Sequence, residues 1–160
     1  MTRPNAFNAD FSAGYDDGDP AGYRCAGVPF GKAAGGRELA VSLFELPPGE
    51  TLCPYHYEYV EEWLLVISGE VQVRTPAGTA PARAGDLVCF PSGPDGAHNV
   101  FNVAGAPARI VMFSSAAKPS VCVYPDGGKV GVWAGGEDHW RFRAADAQVD
   151  YYEGEVPPTH

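Results

Sequence analysis

The chain lacks long segments without glycine or proline, and this absence excludes a helical bundle. Among its 160 residues are 20 glycines and 15 prolines, and the longest segment without either is Glu137–Glu153. Helix interiors exclude proline, and a bundle needs several long uninterrupted segments. Hydrophobic residues still make up 45% of the chain, which is enough for one buried core. We therefore predict a single, turn-rich, all-β domain.

Basic residues are also scarce. The chain has 11 lysines and arginines against 20 aspartates and glutamates, which gives a net charge of −9. An acidic surface repels nucleic-acid phosphates and anionic membranes, so we expect neither as a partner. The sequence also lacks an apolar run of about 20 residues, the length that spans a bilayer. Because the first residues do not resemble a secretory signal, we expect a cytoplasmic protein.

What the sequence does contain is a series of short apolar or alternating segments, which predict β-strands. The predicted strands cover residues 39–46, 63–68, 71–75, 82–84, 87–90, 98–103, 109–113, 121–124 and 129–133. Residues 23–30 are a candidate edge strand, and residues 137–148 fit either a short helix or a last strand. Recurring short strands predict a sandwich or a closed barrel. The chain then divides into an N-terminal arm (1–36), a barrel (37–133) and a C-terminal extension (134–160).

Two histidines lie beside carboxylates in these segments. Alternate residues of a strand share a face, so His56 and Glu58 are expected to project together. Glu62 begins an apolar run, where a charge is costly unless something pairs with it. With Glu62 facing inwards, Leu64 shares its face. His98 opens another alternating segment, so all four polar side chains are candidates for one buried cluster.

Two imidazoles and two carboxylates converging inside a barrel would hold one divalent metal ion: Zn, Mn, Fe, Ni or Cu. The ligands would be His56, Glu58, Glu62 and His98, which leave one or two positions of an octahedral ion for water or substrate. The ion would also offset the repulsion between the two carboxylates. Glu61 is an alternative to Glu62, although its strand parity is opposite.

These residues lie in two motifs that resemble those of the cupin superfamily. The first motif comprises Gly49, His56, Glu58, Glu62 and Gly69, and the second comprises Gly85, Pro91, Gly93, His98 and Asn102. The resemblance covers residues 39–113 and implies a small single-domain cupin: a jelly-roll, double-stranded β-barrel with short terminal extensions, whose motif residues hold the metal. The sequence departs from the family at Glu58, where cupins usually have a second histidine.

The resemblance implies a small metalloenzyme in which the metal acts as a Lewis acid on a small oxygenated substrate, such as a sugar, a keto acid or a phenol. Glu58 is the best candidate base for isomerase, decarboxylase or dioxygenase chemistry. Gln72 and Asn102 are candidate polar groups of the pocket. Two alternatives stay open: a non-catalytic module that binds a small ligand or senses a metal, and a metal-free structural barrel.

Strand parity also predicts which side chains face away from the cluster. The expected outward aromatic residues are Tyr55, Tyr57, Tyr59 and Trp63. Outward aromatic side chains favour a subunit interface, and the resemblance to cupins likewise implies a homodimer.

The remaining histidines, arginines and cysteines have less specific expectations. His139 is expected at the surface and the terminal His160 in a disordered tail, while Arg83 and Arg109 are expected to pair with the many acids. The four cysteines are far apart and form no CxxC motif, which favours free thiols. Cys53 is expected to point away from the site, because its strand parity is opposite to that of His56.

Overall fold

A computed structural model describes residues 3–12 and 18–156, and within them the chain forms twelve β-strands. The strands are β1 (Ala26–Val28), β2 (Leu39–Leu46), β3 (Tyr57–Glu58), β4 (Glu62–Ser68), β5 (Glu70–Thr75), β6 (Gly78–Arg83), β7 (Leu87–Phe90), β8 (Asn99–Phe101), β9 (Ala108–Ser115), β10 (Ser120–Tyr124), β11 (Lys129–Gly135) and β12 (Asp138–Arg143). Two short helices, α1 (Phe30–Ala33) and α2 (Ala144–Ala147), accompany them. In these ranges no helix has the length and apolar character needed to cross a membrane.

The strands pair antiparallel in three sheets. The first sheet has the strand order β1-β2-β9-β4-β7, the second β12-β11-β10-β3 and the third β6-β5-β8. Single backbone bridges from Thr51 to Phe101 and from His56 to His98 join the segment before β3 to the segment around β8. The second and third sheets are therefore linked beside the two predicted site histidines.

The main core lies between the first and third sheets. Leu64 and Val66 of β4 and Ile110 of β9 are 0–1% exposed, and they pack with Val71 and Val100 of the third sheet. Alternate residues of each strand supply this face, as a period of two requires. Two sheets thus pack face to face, which confirms the predicted all-β jelly-roll class.

The observed strands follow the sequence pattern, with two informative differences. The short strand predicted at 82–84 is longer: β6 pairs with β5 from Gly78 to Arg83. It includes Pro81, which is tolerated because β6 lies at a sheet edge. The strand predicted at 98–103 is shorter, because the Asn102 side chain accepts a hydrogen bond from the Ala104 N–H and turns the chain away from the sheet.

Both ends of the described chain pack on the barrel. Within the candidate edge segment 23–30, β1 pairs with β2 at the edge of the first sheet. Residues 137–148 contain both predicted alternatives, since β12 pairs with β11 and α2 follows it. The expectation for His160 falls outside the described residues.

The N-terminal arm covers part of the outer face of the first sheet. Phe11 is 6% exposed and packs against Ala26 and Leu43. The Arg109 guanidinium lies 5.1 Å from the centroid of the Phe11 ring, and its Nη1 donates to the Phe7 carbonyl at 3.1 Å. These contacts bury the outward side of a strand whose inward side belongs to the main core.

Gly69, at the turn between β4 and β5, lies close to the backbone of Ala108 at the start of β9. Its φ is +80°, and a Cβ added there would lie 2.9 Å from the Ala108 Cα. Gly85 has a similar φ of +95° with nothing within 4 Å of an added Cβ. We expect G85A to lower the free energy of unfolding by about 1–2 kcal/mol, the cost of a non-glycine residue in the left-handed region. G69A carries the same cost, and we expect overpacking against Ala108 to lower its free energy of unfolding by ~1–3 kcal/mol more.

Urea denaturation of the wild type and of both variants measures this difference. Equal losses for G69A and G85A would contradict the inferred close approach of the backbone at Ala108.

Candidate metal centre

A backbone bridge places two histidines side by side. His56 lies just before β3 and His98 just before β8; the His56 N–H donates to the His98 carbonyl at 3.0 Å, and the His98 N–H returns a bond of 2.8 Å. Directly opposed residues of an antiparallel pair project to the same face, and the two ring centroids are 4.7 Å apart. The residues are 8% and 1% exposed, so both imidazoles enter the barrel together.

Glu62 completes the cluster from the first sheet. Its Oε2 lies 3.6 Å from Nε2 of His56 and 3.7 Å from Nε2 of His98. Leu64 and Val66 follow on the same face and are buried, as strand parity predicted. One ligand atom from each member of this triad lies within 4.8 Å of the other two.

The other nitrogen of each imidazole is held by a backbone carbonyl. Nδ1 of His56 is 2.9 Å from the Pro54 oxygen, and Nδ1 of His98 is 2.9 Å from the Gly96 oxygen. Because a carbonyl oxygen can only accept, each Nδ1 is the donor. Both Nε2 atoms consequently face the cluster, in the arrangement typical of metal-binding histidines. The Phe90 ring stacks on His98 at a centroid distance of 3.7 Å and fixes its plane.

Two atoms of the triad are buried without a hydrogen-bond partner in the described part of the chain: Glu62 Oε2 and His98 Nε2. An unpaired buried polar atom costs about 1–3 kcal/mol, so this pair needs an explanation. A divalent ion provides one, because its ligands at about 2.0–2.2 Å leave such atoms a few ångströms apart. Imidazole and carboxylate donors suit Zn, Mn, Fe, Ni and Cu. The residues therefore fit a metal ion.

The charges in the triad are uneven. Burial lowers the pKa of His98 to about 4. For His56, burial also acts to lower the pKa, but the contacts with Cys53 and Glu62 outweigh it and raise the pKa to about 11. A protonated His56 thus offsets the charge of the buried carboxylate, and a divalent ion would displace that proton.

Glu58 lies beside the triad. Its Oε2 accepts a hydrogen bond from the Ser120 hydroxyl at 3.1 Å. Its carboxylate also forms a second group with His56 and Cys122, with one ligand atom of each within 4.8 Å of the others. Burial raises the pKa of Glu58, and the charge of Glu62 raises it further. A carboxyl group poised in this way is suited to proton transfer.

The barrel wall changes from apolar to small and polar beside the triad. Across the first sheet, Ala40 pairs with Ser114 and Ser114 with Glu62, which makes one row of neighbouring side chains. A cavity of about 160 Å³ opens at this row. A second cavity, of about 300 Å³, shares Ala40 and Ser114 and reaches Glu58 and Lys118. Both carboxylates are thus accessible to a small molecule.

A third cavity, of about 600 Å³, lies on another side of His56, between the N-terminal arm and the β10–β11 turn. Its lining includes Cys53, Tyr124 and Lys129. The Tyr124 ring lies 5.9 Å from the His56 ring. This cavity therefore approaches His56 from the side of Cys53, whose sulfur lies near Nδ1.

Comparison with known proteins decides the family. Residues 42–114 match the family model of the cupin domain, and these residues contain His56, Glu58, Glu62 and His98. This part of the chain is a cupin domain. Comparison with curated proteins finds no match to the sequence.

Solved structures show the same cupin fold. A protein from Acidithiobacillus ferrooxidans, named for sugar phosphate isomerase activity, is 25% identical with a TM-score of 0.73 over 80% of this chain and 81% of that chain. A cupin from Silicibacter pomeroyi, named as a sugar phosphate isomerase, is 22% identical with a TM-score of 0.73 over 79% and 81%. The polyketide cyclase RemF from Streptomyces resistomycificus is 17% identical with a TM-score of 0.60 over 75% and 83%.

The structure separates the two adjacent glutamates of the cupin motif. Glu61 accepts a hydrogen bond of 2.7 Å from Nε1 of Trp63, at the surface. Glu62 points inwards to both histidines. Glu62 is therefore the inward-facing glutamate, as strand parity predicts.

The two candidate pocket residues take other positions. The Asn102 side-chain amide donates to the carbonyls of Leu46 and Ala106 at 2.8 and 2.9 Å. It holds a loop and has no donor left for a ligand. Gln72 alternates with Val71 and Val73, whose side chains are buried in the core, so Gln72 faces away from the cupin barrel interior.

The prediction that Cys53 points away from His56 is wrong. Its Sγ lies 3.5 Å from Nδ1 of His56. Strand parity fails here because the chain bends at Leu52, Cys53 and Tyr55 and enters β3 only at Tyr57. Its sulfur therefore reaches the histidine side of the segment.

Tyr59 and Trp63 face outwards as expected, whereas Tyr55 lines the cavity of about 600 Å³. Trp63 stacks on Phe113 with ring centroids 6.2 Å apart, and Tyr59 is 59% exposed. The guanidinium of Arg74 lies 3.9 Å from the centroid of the Tyr55 ring. The homodimer stays a prediction.

The other polar expectations concern surface residues. Arg83 bonds to Glu70 at 2.7 Å, and Arg109 bonds to Glu45 at 3.0 Å. His139 lies in β12 and is exposed. These side chains pair or face solvent, as predicted.

The sequence did not predict that β10 lines one side of the site. Ser120 bonds Glu58, Cys122 is buried opposite Glu58, and Tyr124 lies near His56. The alternation of these three residues in the predicted strand 121–124 and its flank places them on one face. No local pattern indicated that this face would meet His56, since the pairing of β10 with β3 is non-local.

The orphaned atoms predict that a metal ion stabilises the fold. Zn²⁺ at a hundred times its dissociation constant is expected to raise the free energy of unfolding by about 2.7 kcal/mol. E62A removes the central carboxylate and is expected to lose this gain. E61A, which changes the neighbouring surface glutamate, is expected to keep it. Thermal and urea unfolding with Zn²⁺ or a chelator measures the gain for each protein. The same gain in E62A and E61A would contradict the assignment.

Proposed function

We propose that this cupin is a metal-dependent enzyme that acts on a small oxygenated substrate, with isomerase-type proton transfer as its chemistry. The observation that carries the proposal is a pair of buried atoms without a hydrogen-bond partner, Glu62 Oε2 and His98 Nε2, both able to bind a metal. They lie next to a cavity that reaches a second carboxylate. A purely structural barrel gains nothing from leaving such atoms unpaired.

His56, Glu62 and His98 would hold the metal, because their ligand atoms already converge. The bound ion supplies Lewis-acid polarisation of a carbonyl or hydroxyl oxygen. The two backbone carbonyls that accept from the Nδ1 atoms keep the imidazoles oriented. Three protein ligands leave positions through which a substrate oxygen can bind.

Glu58 is suited to the proton transfer. Its carboxylate is partly buried, has a raised pKa and is oriented by the hydroxyl of Ser120. It lines the cavity of about 300 Å³ that also contains Lys118. Interconversion of an aldose and a ketose requires a base to move a proton between neighbouring carbons while the oxygens are polarised. Glu58 can accept the proton from one carbon and return it to the next.

Two observations favour a sugar phosphate over other oxygenated substrates. The Acidithiobacillus ferrooxidans protein named for sugar phosphate isomerase activity is similar over 80% of this chain. In addition, the cavity beside Glu58 is lined by several serines and by Lys118. An ammonium group there is suited to bind a phosphate, and the hydroxyls are suited to the sugar.

The test is isomerisation of a panel of aldose and ketose phosphates by metal-loaded protein, with deuterium uptake from D₂O as a second readout. We expect E58Q to retain its metal but to lower kcat by roughly 10²–10⁴-fold, the usual contribution of a general base. E70Q changes a surface carboxylate that pairs with Arg83 and serves as the matched control.

Unchanged turnover in E58Q would exclude Glu58 as the base. If metal-loaded wild type neither isomerises the panel nor exchanges deuterium, the isomerase assignment is overturned, although the metal site could still stand.

A further inference from the structure

Cys122 is a buried thiol that the proposed chemistry does not use. It lies at the centre of β10 and is 2% exposed. In the pairing of β3 with β10 it stands directly opposite Glu58. Directly opposed residues project to the same face of a sheet, and Glu58 shares its group with His56. The thiol therefore faces the candidate metal centre and not the protein exterior.

The distances connect Cys122 to the triad through His56. Ligand atoms of His56, Glu58 and Cys122 lie within 4.8 Å of one another, and so do those of His56, Glu62 and His98. Nδ1 of His56 already donates to the Pro54 carbonyl, so Nε2 is the nitrogen that remains for a metal. Because both groups contain His56, an ion on this nitrogen would neighbour the members of both.

We propose that Cys122 is a further ligand of the metal ion bound by His56, Glu62 and His98. The proposal rests on the proposed metal site and adds a sulfur donor to it. On binding, the thiol releases its proton to solvent and coordinates as a thiolate. Four protein ligands still leave room for a substrate oxygen when the ion is five- or six-coordinate.

A sulfur ligand changes which metal the site prefers. Imidazole and carboxylate alone bind Mn²⁺ more weakly than the later first-row ions, and a thiolate favours softer or borderline ions such as Zn²⁺ still further. At position 58, where cupins usually have a second histidine ligand, this chain has the glutamate proposed as the base, so the set has one nitrogen donor fewer. A thiolate directly across the sheet from Glu58 offsets that change. We therefore expect Zn²⁺ or Co²⁺ to be retained in preference to Mn²⁺.

The other cysteines of this chain are placed differently. The sulfur of Cys53 lies 3.5 Å from Nδ1 of His56, the nitrogen that donates to Pro54. Cys25 has its sulfur 3.8 Å from the Leu52 carbonyl, and Cys89 is exposed. These thiols provide matched controls, because each can be changed without altering the face of β10.

Cobalt substitution separates the new ligand from the site itself. Co²⁺ bound at a protein site shows visible d–d bands whatever its donors, whereas a thiolate ligand adds a sulfur-to-cobalt charge-transfer band in the near ultraviolet. We expect both features in the wild type, in C53S and in C89S. We expect C122S to lose the charge-transfer band and keep the d–d bands.

The outcomes distinguish the two proposals. If Co²⁺ gives no d–d bands with the wild type, the proposed metal site itself fails. If d–d bands appear without a charge-transfer band, or if the band persists in C122S, Cys122 is not a ligand. A band lost in C53S but kept in C122S would assign the sulfur to Cys53 and likewise overturn the proposal.

A second measurement uses the wild type alone, in case C122S does not fold. Zinc X-ray absorption is expected to show one sulfur neighbour at about 2.3 Å together with nitrogen and oxygen neighbours at about 2.0–2.2 Å. Only nitrogen and oxygen neighbours would exclude Cys122. Where C122S does fold, we expect its Zn²⁺ affinity to fall by about tenfold or more, since even outer-shell partners of a metal contribute that much. Unchanged affinity in C122S would contradict the proposal.

Discussion

Two backbone hydrogen bonds between His56 and His98 set the spacing on which the rest of the site depends. Together with the bridge from Thr51 to Phe101, they hold the segment before β3 against the segment around β8. Opposed in this way, the imidazoles share a face and leave room for Glu62 to reach both from the other layer. The second and third sheets are joined beside the same pair, so the architecture and the chemistry of this cupin share one constraint.

The interior of the barrel changes character along its strands. At one end Leu46, Ile110 and Val66 form a dry core, which keeps water away from the inner side of the cluster. Towards the other end the same faces of β2 and β9 carry Ala40 and Ser114, which are too small or polar to fill the space. Apolar packing therefore closes the inner side of the site, and the small residues leave a cavity on its outer side. The buried carboxylate of Glu62 lies at the boundary between the apolar core and this cavity.

The strand pattern and the motif spacing predicted most of the fold and the convergence of His56, Glu62 and His98, because these depend on local alternation. Cys53 was misplaced, since parity holds only where the chain is extended and this segment bends before β3. The contribution of β10 was not predictable: Ser120 lies 62 positions from Glu58. Its register is set by non-local pairing, which spacing along the sequence does not determine. The motif spacing suggested Asn102 as a pocket residue. Its side chain instead donates to two backbone carbonyls of a loop, and no sequence motif predicts such contacts.

Both imidazoles are oriented by main-chain oxygens, those of Pro54 and Gly96. A backbone carbonyl is not removed when one side chain is exchanged for another. Most single substitutions therefore leave the orientation of the two imidazole rings unchanged. Changes at Glu58, Cys122 or the wall of the opening can therefore accumulate without loosening the histidines. In this fold the donors beside the pair are free to diversify, so the proposed reaction could differ between relatives whose two imidazole ligands keep the same orientation.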